Sequence, residues 1–121
     1  MKQPITSFEI PSLDLERAME FYATILAASV VARDVGGQPG GVLPSDGGAI
    51  TGIIRCSPEY MKPSDQGAVL YLHVQDLDAA LSRVEQAGGK VLFPSTDAGA
   101  QGRFAWIQDS EGNRLGLNQP K

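Results

Sequence analysis

Apolar and polar residues alternate from Ile5 to Pro11. Phe8 and Ile10 fall on one side of the chain and Ser7 and Glu9 on the other, the period-two pattern of a half-buried strand. At Asp14 the period lengthens: Leu15, Ala18, Met19, Tyr22, Ile25 and Leu26 form one apolar stripe at helical spacing. A helix from Asp14 to about Leu26 is predicted, with Asp14 either its cap or an acidic first-turn residue favoured by the helix dipole. Ser29–Val35 is β-branched enough for a strand, and Gly36–Gly41 reads as a turn or loop. Short strands near Gly41–Pro44 and Ile50–Ser57 flank the Ser45-Asp46-Gly47-Gly48 turn. Ser57–Gln66, with Pro58, Pro63 and scattered charges, reads as a surface connection.

The same programme then runs again. Ala68–Val74 is a predicted strand, followed by a helix from Asp76 to about Ala87 with Leu77, Ala80, Leu81 and Val84 inward. Gly88-Gly89 ends that helix. Strands follow at Lys90–Phe93, Arg103–Gln108 and Arg114–Asn118, separated by a loop over Pro94–Gly102 and a turn over Asp109–Asn113. Asp14-Leu15-Glu16-Arg17-Ala18-Met19 matches Asp76-Leu77-Asp78-Ala79-Ala80-Leu81 at an offset of 62 residues. Each copy is preceded by a strand and followed by about three more, so the repeat spans half the chain and is architectural. The expected fold class is α+β: one domain over residues 1–121, with one βαβββ module at about 1–57, a linker at about 58–66 and a second module at about 67–121.

Composition narrows the chemistry. With 42% hydrophobic residues the chain can bury a core, and its 14 glycines and 8 prolines suit many turns and short strands. The net charge of −4, without a basic run, gives nucleic acid or an anionic membrane surface little to bind, and neither is expected as a partner. The single Cys56 excludes an intrachain disulfide and a Cys-rich zinc site, and following Ile53-Ile54 it reads as a buried, inert thiol rather than a nucleophile. The absence of a signal-like apolar segment, or of an apolar run of about 18 residues, makes the cytoplasm the expected location. Gly36-Gly37 and Gly40-Gly41 are not a phosphate loop, because no Lys-Ser/Thr follows.

Two βαβββ units carried by Phe8-Glu9-Ile10-Pro11, Asp14-Leu15-Glu16-Arg17-Ala18, Phe21-Tyr22 and Val74-Gln75-Asp76-Leu77-Asp78-Ala79-Ala80 resemble the vicinal-oxygen-chelate (VOC) superfamily, the glyoxalase, bleomycin-resistance and extradiol-dioxygenase group. The closing Asp109-Ser110-Glu111-Gly112-Asn113 is similar to that group's penultimate turn. The resemblance implies curled mixed sheets forming a cup, a homodimer, and a divalent metal held by His and carboxylate ligands as a Lewis acid. It places those ligand positions on Ser7, Val69 and Gly116, and on the Ile50–Ser57 strand, which lacks Asp, Glu and His. No metal and no other cofactor is therefore expected, which argues against glyoxalase I and extradiol dioxygenase activity.

Strand alternation then nominates what faces the cup. Glu9 shares the parity of Ser7; Tyr71 and His73 share that of Val69; Arg114 and Asn118 share that of Gly116. Phe8, Ile10, Leu70, Leu72 and Val74 turn to the helices. His73 reads either as a general acid or base oriented by Glu9, or as a solvated residue at a strand end. Glu9 reads either as a ligand contact or as the partner of Arg55, Arg103 or Arg114. Tyr71 is a candidate donor to a ligand, and Arg114 a carboxylate clamp or a surface residue beside a turn. Trp106, alternating with Phe104, walls an apolar pocket or belongs to a core or subunit interface. Glu9, Tyr71, His73, Trp106, Arg114 and Asn118 are thus the candidate ligand-binding set.

Three functions fit: a metal-independent small-molecule binder, a lyase or isomerase of glyoxalase type using His73 and Glu9 or a non-standard metal site, and a non-catalytic accessory domain with a filled cup. The first is the expectation, with an unidentified small molecule and a second copy of the chain as partners.

Overall fold

The computed structural model describes residues 3–48 and 50–121. Asp14 and Asp76 cap their helices in the same way, each accepting the backbone N–H three residues on, from Arg17 and Ala79, at 3.1 Å. From these caps run α1 (Leu15–Leu26) and α2 (Leu77–Val84). The strands are β1 (Ser7–Pro11), β2 (Val31–Val35), β3 (Gln38–Val42), β4 (Thr51–Arg55), β5 (Tyr71–His73), β6 (Lys90–Asp97), β7 (Arg103–Gln108) and β8 (Arg114–Gln119). They form two four-stranded sheets of matching order, β1-β4-β3-β2 and β5-β8-β7-β6, each with one parallel pair, β1 with β4 and β5 with β8. Neither sheet closes on itself, and the repeat read from the sequence is the repeat of the fold. No helix among the described residues is long and apolar enough to cross a membrane.

Element ends differ from expectation where turns or partners decide them. Gly36 and Gly37 have φ of 65° and 84°, a two-residue turn that pairs Val35 with Gln38 and starts β3 earlier than predicted. β6 continues through Pro94 to Asp97 rather than stopping at Phe93, because Pro94 lies on an edge strand where its missing N–H costs no ladder bond. β5 keeps only three residues of the strand expected over Ala68–Val74. Helix α2 ends at Val84, short of Ala87. Cys56, expected to be buried, is exposed because it lies just beyond the end of β4.

Both halves share one core, with Ile10, Phe21, Ile25 and Ile54 from the first and Val74, Leu77, Ile107 and Leu117 from the second. Phe8, Leu70 and Leu72 pack against it, so the helix-facing parity of both leading strands holds.

The turn over Asp109–Asn113 joins the halves, a role invisible in its sequence. Asp109 Oδ1 accepts the backbone N–H groups of Glu111, Gly112 and Asn113 at 2.8–2.9 Å, and its Oδ2 accepts the Tyr22 hydroxyl at 2.5 Å and Asn113 Nδ2 at 2.9 Å. Asn113 Nδ2 also donates to Pro11 O. The Glu111 carboxylate reaches across to accept Leu13 N and Asp14 N at 2.8 and 3.0 Å and the Arg17 guanidinium at 2.8 and 2.9 Å.

Burial by itself would raise the Glu111 pKa, but the donors on Arg17, Ser110, Leu13 and Asp14 outweigh it and hold the carboxyl at about 2, against an ordinary 4.5. A lowered folded-state pKa means stability that is fully present above the ordinary value and is lost as pH falls toward the folded one. Urea unfolding of the native protein should therefore show this contribution fading between about pH 4.5 and pH 2. Glu111→Gln should be less stable at pH 7, with a shallower decline over that window. An unchanged acid limb in the variant would show that Glu111 does not carry it.

Candidate functional site

Register assembles the site on the face of the second sheet turned away from the helices. Tyr71 on β5 lies opposite Gly116 on β8, Gly116 opposite Trp106 on β7, and Trp106 opposite Phe93 on β6. One row of side chains therefore crosses all four strands. The adjacent row runs from His73 through Asn118 and Phe104 to Thr96.

The gap at Gly116 lets its neighbours meet above it. Trp106 Nε1 donates to Tyr71 Oη at 2.8 Å. Tyr71 meets Phe104 edge-on at 6.3 Å between ring centroids, and Phe104 stacks with Phe93 at 5.9 Å. The Arg114 guanidinium carbon lies 5.0 Å from the Trp106 ring centroid, and its Nη2 donates to Gly67 O at 2.7 Å. Arg114 Nε is buried and has no hydrogen-bond partner among the described residues. Tyr71 is 49% exposed and Phe93 45%, so the platform is open.

The structure divides the candidate residues. Tyr71, Trp106 and Arg114 come together. Asn118 belongs to the next row of the same face. His73 is exposed and its side chain makes no hydrogen bond among the described residues; with Tyr71, Phe8, Leu43 and Ile50 it lines a groove of about 670 Å³ between the two sheets. Glu9 is engaged elsewhere, accepting Arg55 Nε at 2.7 Å, while the rest of that guanidinium donates to the carbonyls of Val35, Gln38 and Pro39. No bond joins Glu9 to His73 or Tyr71 among the described residues. Of the three arginines open to Glu9 in the sequence, Arg55 takes it because β1 and β4 are neighbours that place Pro11 opposite Arg55 and Glu9 opposite Ile53. Glu9 and Arg114 also border one crevice of about 320 Å³, with Lys62 at its rim.

Sequence reasoning left out Phe93. Its signal was present in the hairpin: with β6 folding back on β7, Phe93 comes to the face of Phe104 and Trp106.

A family model described as "Glyoxalase/Bleomycin resistance protein/Dioxygenase superfamily" matches residues 5–117. A protein of Didymella fabae described as a glyoxylase-like domain-containing protein is 31% identical over 115 residues, covering 90% of this chain and 88% of that protein. A putative glyoxylase, CFP32, of Mycobacterium bovis is 29% identical over 116 residues, covering 92% of this chain and 43% of that protein. The chain thus spans less than half the length of that mycobacterial relative. Among solved structures, TnmS3, described as an antibiotic binding protein from Streptomyces sp. CB03234, matches with a TM-score of 0.71 and 25% identity, covering 99% of this chain and 98% of that one. A glyoxalase/bleomycin resistance protein from Albidiferax ferrireducens T118 matches with a TM-score of 0.73 and 21% identity, over 95% of this chain and 98% of that one, a likeness of fold alone.

Proposed function

Because the chain belongs to the glyoxalase/bleomycin resistance protein/dioxygenase superfamily, we propose that it is a small-molecule-binding member that holds its ligand on the aromatic face of its second sheet without a metal ion. The observation that carries this reading is the continuous platform of Tyr71, Trp106 and Phe93 around Gly116, flanked by Phe104 and Arg114. Aromatic rings with a few oriented polar groups suit an apolar planar ligand.

The fit to a chelated metal is poor. Ser7, Val69 and Gly116, where the family resemblance puts ligands, offer one hydroxyl among them. At Gly116 even a Cβ would overlap the Tyr71 ring, leaving no room for a carboxylate side chain. No group of three or more His, Cys, Asp or Glu among the described residues is arranged to hold an ion. TnmS3, described as antibiotic-binding, lends the reading further support. A lyase or isomerase built on Glu9 and His73 draws less, since Glu9 is committed to Arg55.

Metal analysis of the purified protein, paired with a thermal-shift screen of planar aromatic compounds and turnover assays on hits, tests the proposal. Stabilisation by such compounds without turnover, and no stoichiometric metal, is the expected result. Stoichiometric Ni, Zn, Fe or Mn lost in His73→Ala or Glu9→Ala would overturn it.

The same proposal includes a homodimer, supported by exposed Val31, Val91, Leu92 and Phe93 on the edge strands β2 and β6. Light scattering after size exclusion should give twice the 12.8 kDa chain mass. A monomer at micromolar concentration would contradict this part.

A further inference from the structure

Gly116 has no backbone reason to be glycine, since it is not among the residues with positive φ. Its bareness answers to the ring above it. A Cβ there would overlap Cδ2 and Cε2 of Tyr71, whose ring lies against the β8 backbone. Tyr71 and Trp106 stand on the strands either side of β8, about two strand spacings of ~4.8 Å apart, and they bond to each other across it. Any side chain at 116 would lift the ring and break that bridge.

The bridge has a fixed polarity. An indole N–H can only donate, so the Tyr71 oxygen is the acceptor and its own hydrogen is turned away from Trp106. The guanidinium of Arg114, which lies over the Trp106 ring, also has only donors. We propose that Gly116 seats the Tyr71 ring, and that the seated ring selects ligands by hydrogen-bond polarity, favouring a planar aromatic molecule with an acceptor oxygen over one that presents a donor. Gly116 is a positioning residue here and Tyr71 the selecting one. This rests on the aromatic face being the binding site.

Three tricyclic probes of nearly one shape test it: 9-fluorenone carries an acceptor oxygen, fluorene no polar group, and carbazole a donor N–H. Trp106 is the sole tryptophan, so its indole cross-peak in ¹H–¹⁵N spectra reports both binding and the bridge. The native protein should bind fluorenone about tenfold tighter than carbazole, the worth of one hydrogen bond. Tyr71→Phe should remove this preference while still binding all three. Gly116→Ala should remove it as well and shift the free-state indole resonance away from its hydrogen-bonded position, a change that loss of stability in a still-folded protein would not produce. Equal binding of the three probes to the native protein would overturn the polarity inference and leave the binding reading standing, as would a preference surviving in Tyr71→Phe. An unmoved indole resonance in Gly116→Ala would overturn the seat. Failure of all three probes to bind would overturn the binding reading and this inference together.

Discussion

Asp109→Ala is expected to cost about 4 kcal/mol of unfolding free energy, an effect at the large end for a single substitution. Asp109 is 3% exposed and is the acceptor for three backbone N–H groups, the Tyr22 hydroxyl and the Asn113 amide. Its removal strands those donors in a place water does not reach, and the penalty is one of desolvation rather than of lost attraction. Burial and the adjacent Asp109 charge both raise the Tyr22 pKa well above its ordinary value, so the phenol stays protonated as the donor. The damage also spreads. The turn that Asp109 closes aims Glu111 at the start of α1 and Asn113 at Pro11, so docking of the two halves loosens with it. Urea denaturation should show the loss, with a melting temperature lower by roughly 15 °C for a chain of this size. A change below about 1 kcal/mol would mean the turn is not a structural centre.

Trp106→Ala carries the largest expected effect on binding. Trp106 is half-buried and its side chain lies on the open face, so stability should fall by no more than about 1 kcal/mol. Binding of 9-fluorenone, read by calorimetry, should weaken about thirtyfold or more, as when an aromatic anchor is removed from a binding surface. One substitution takes away the stacking surface, the donor that orients Tyr71 and the ring under Arg114. Fluorenone bound as tightly by the variant as by the native protein would move the site elsewhere, and the groove beside His73 would be the next place to look.

Legibility in the sequence followed the range of the interaction. The helix starts near Asp14 and Asp76, the stripe from Leu15 to Leu26 and the inward set Phe8, Ile10, Leu70, Leu72 and Val74 were all readable, because each depends on neighbours a few positions away; that Asp14 and Asp76 are both caps was decided by the structure. The hairpin at Gly36-Gly37 was half readable: the glycines marked a turn, but its two-residue length was set by pairing Val35 with Gln38. The loop expected from Pro94 onward is strand as far as Asp97, because on the edge of the sheet Pro94 breaks no ladder bond. Cys56 looked buried by its apolar neighbours, but β4 ends one residue before it.

By itself, then, the sequence determined a duplicated strand–helix–strands unit and which residues of the leading strands turn to the core. These are properties of period two and period 3.6, which any local stretch of chain displays. Tertiary structure alone decided who meets whom: Glu9 with Arg55 rather than His73, Glu111 with the start of α1, and Tyr71 with Trp106 across Gly116. Those meetings depend on strand register and module docking between residues far apart in the chain. Alternation tells which face a side chain joins, and only the pairing of distant strands tells what stands beside it there.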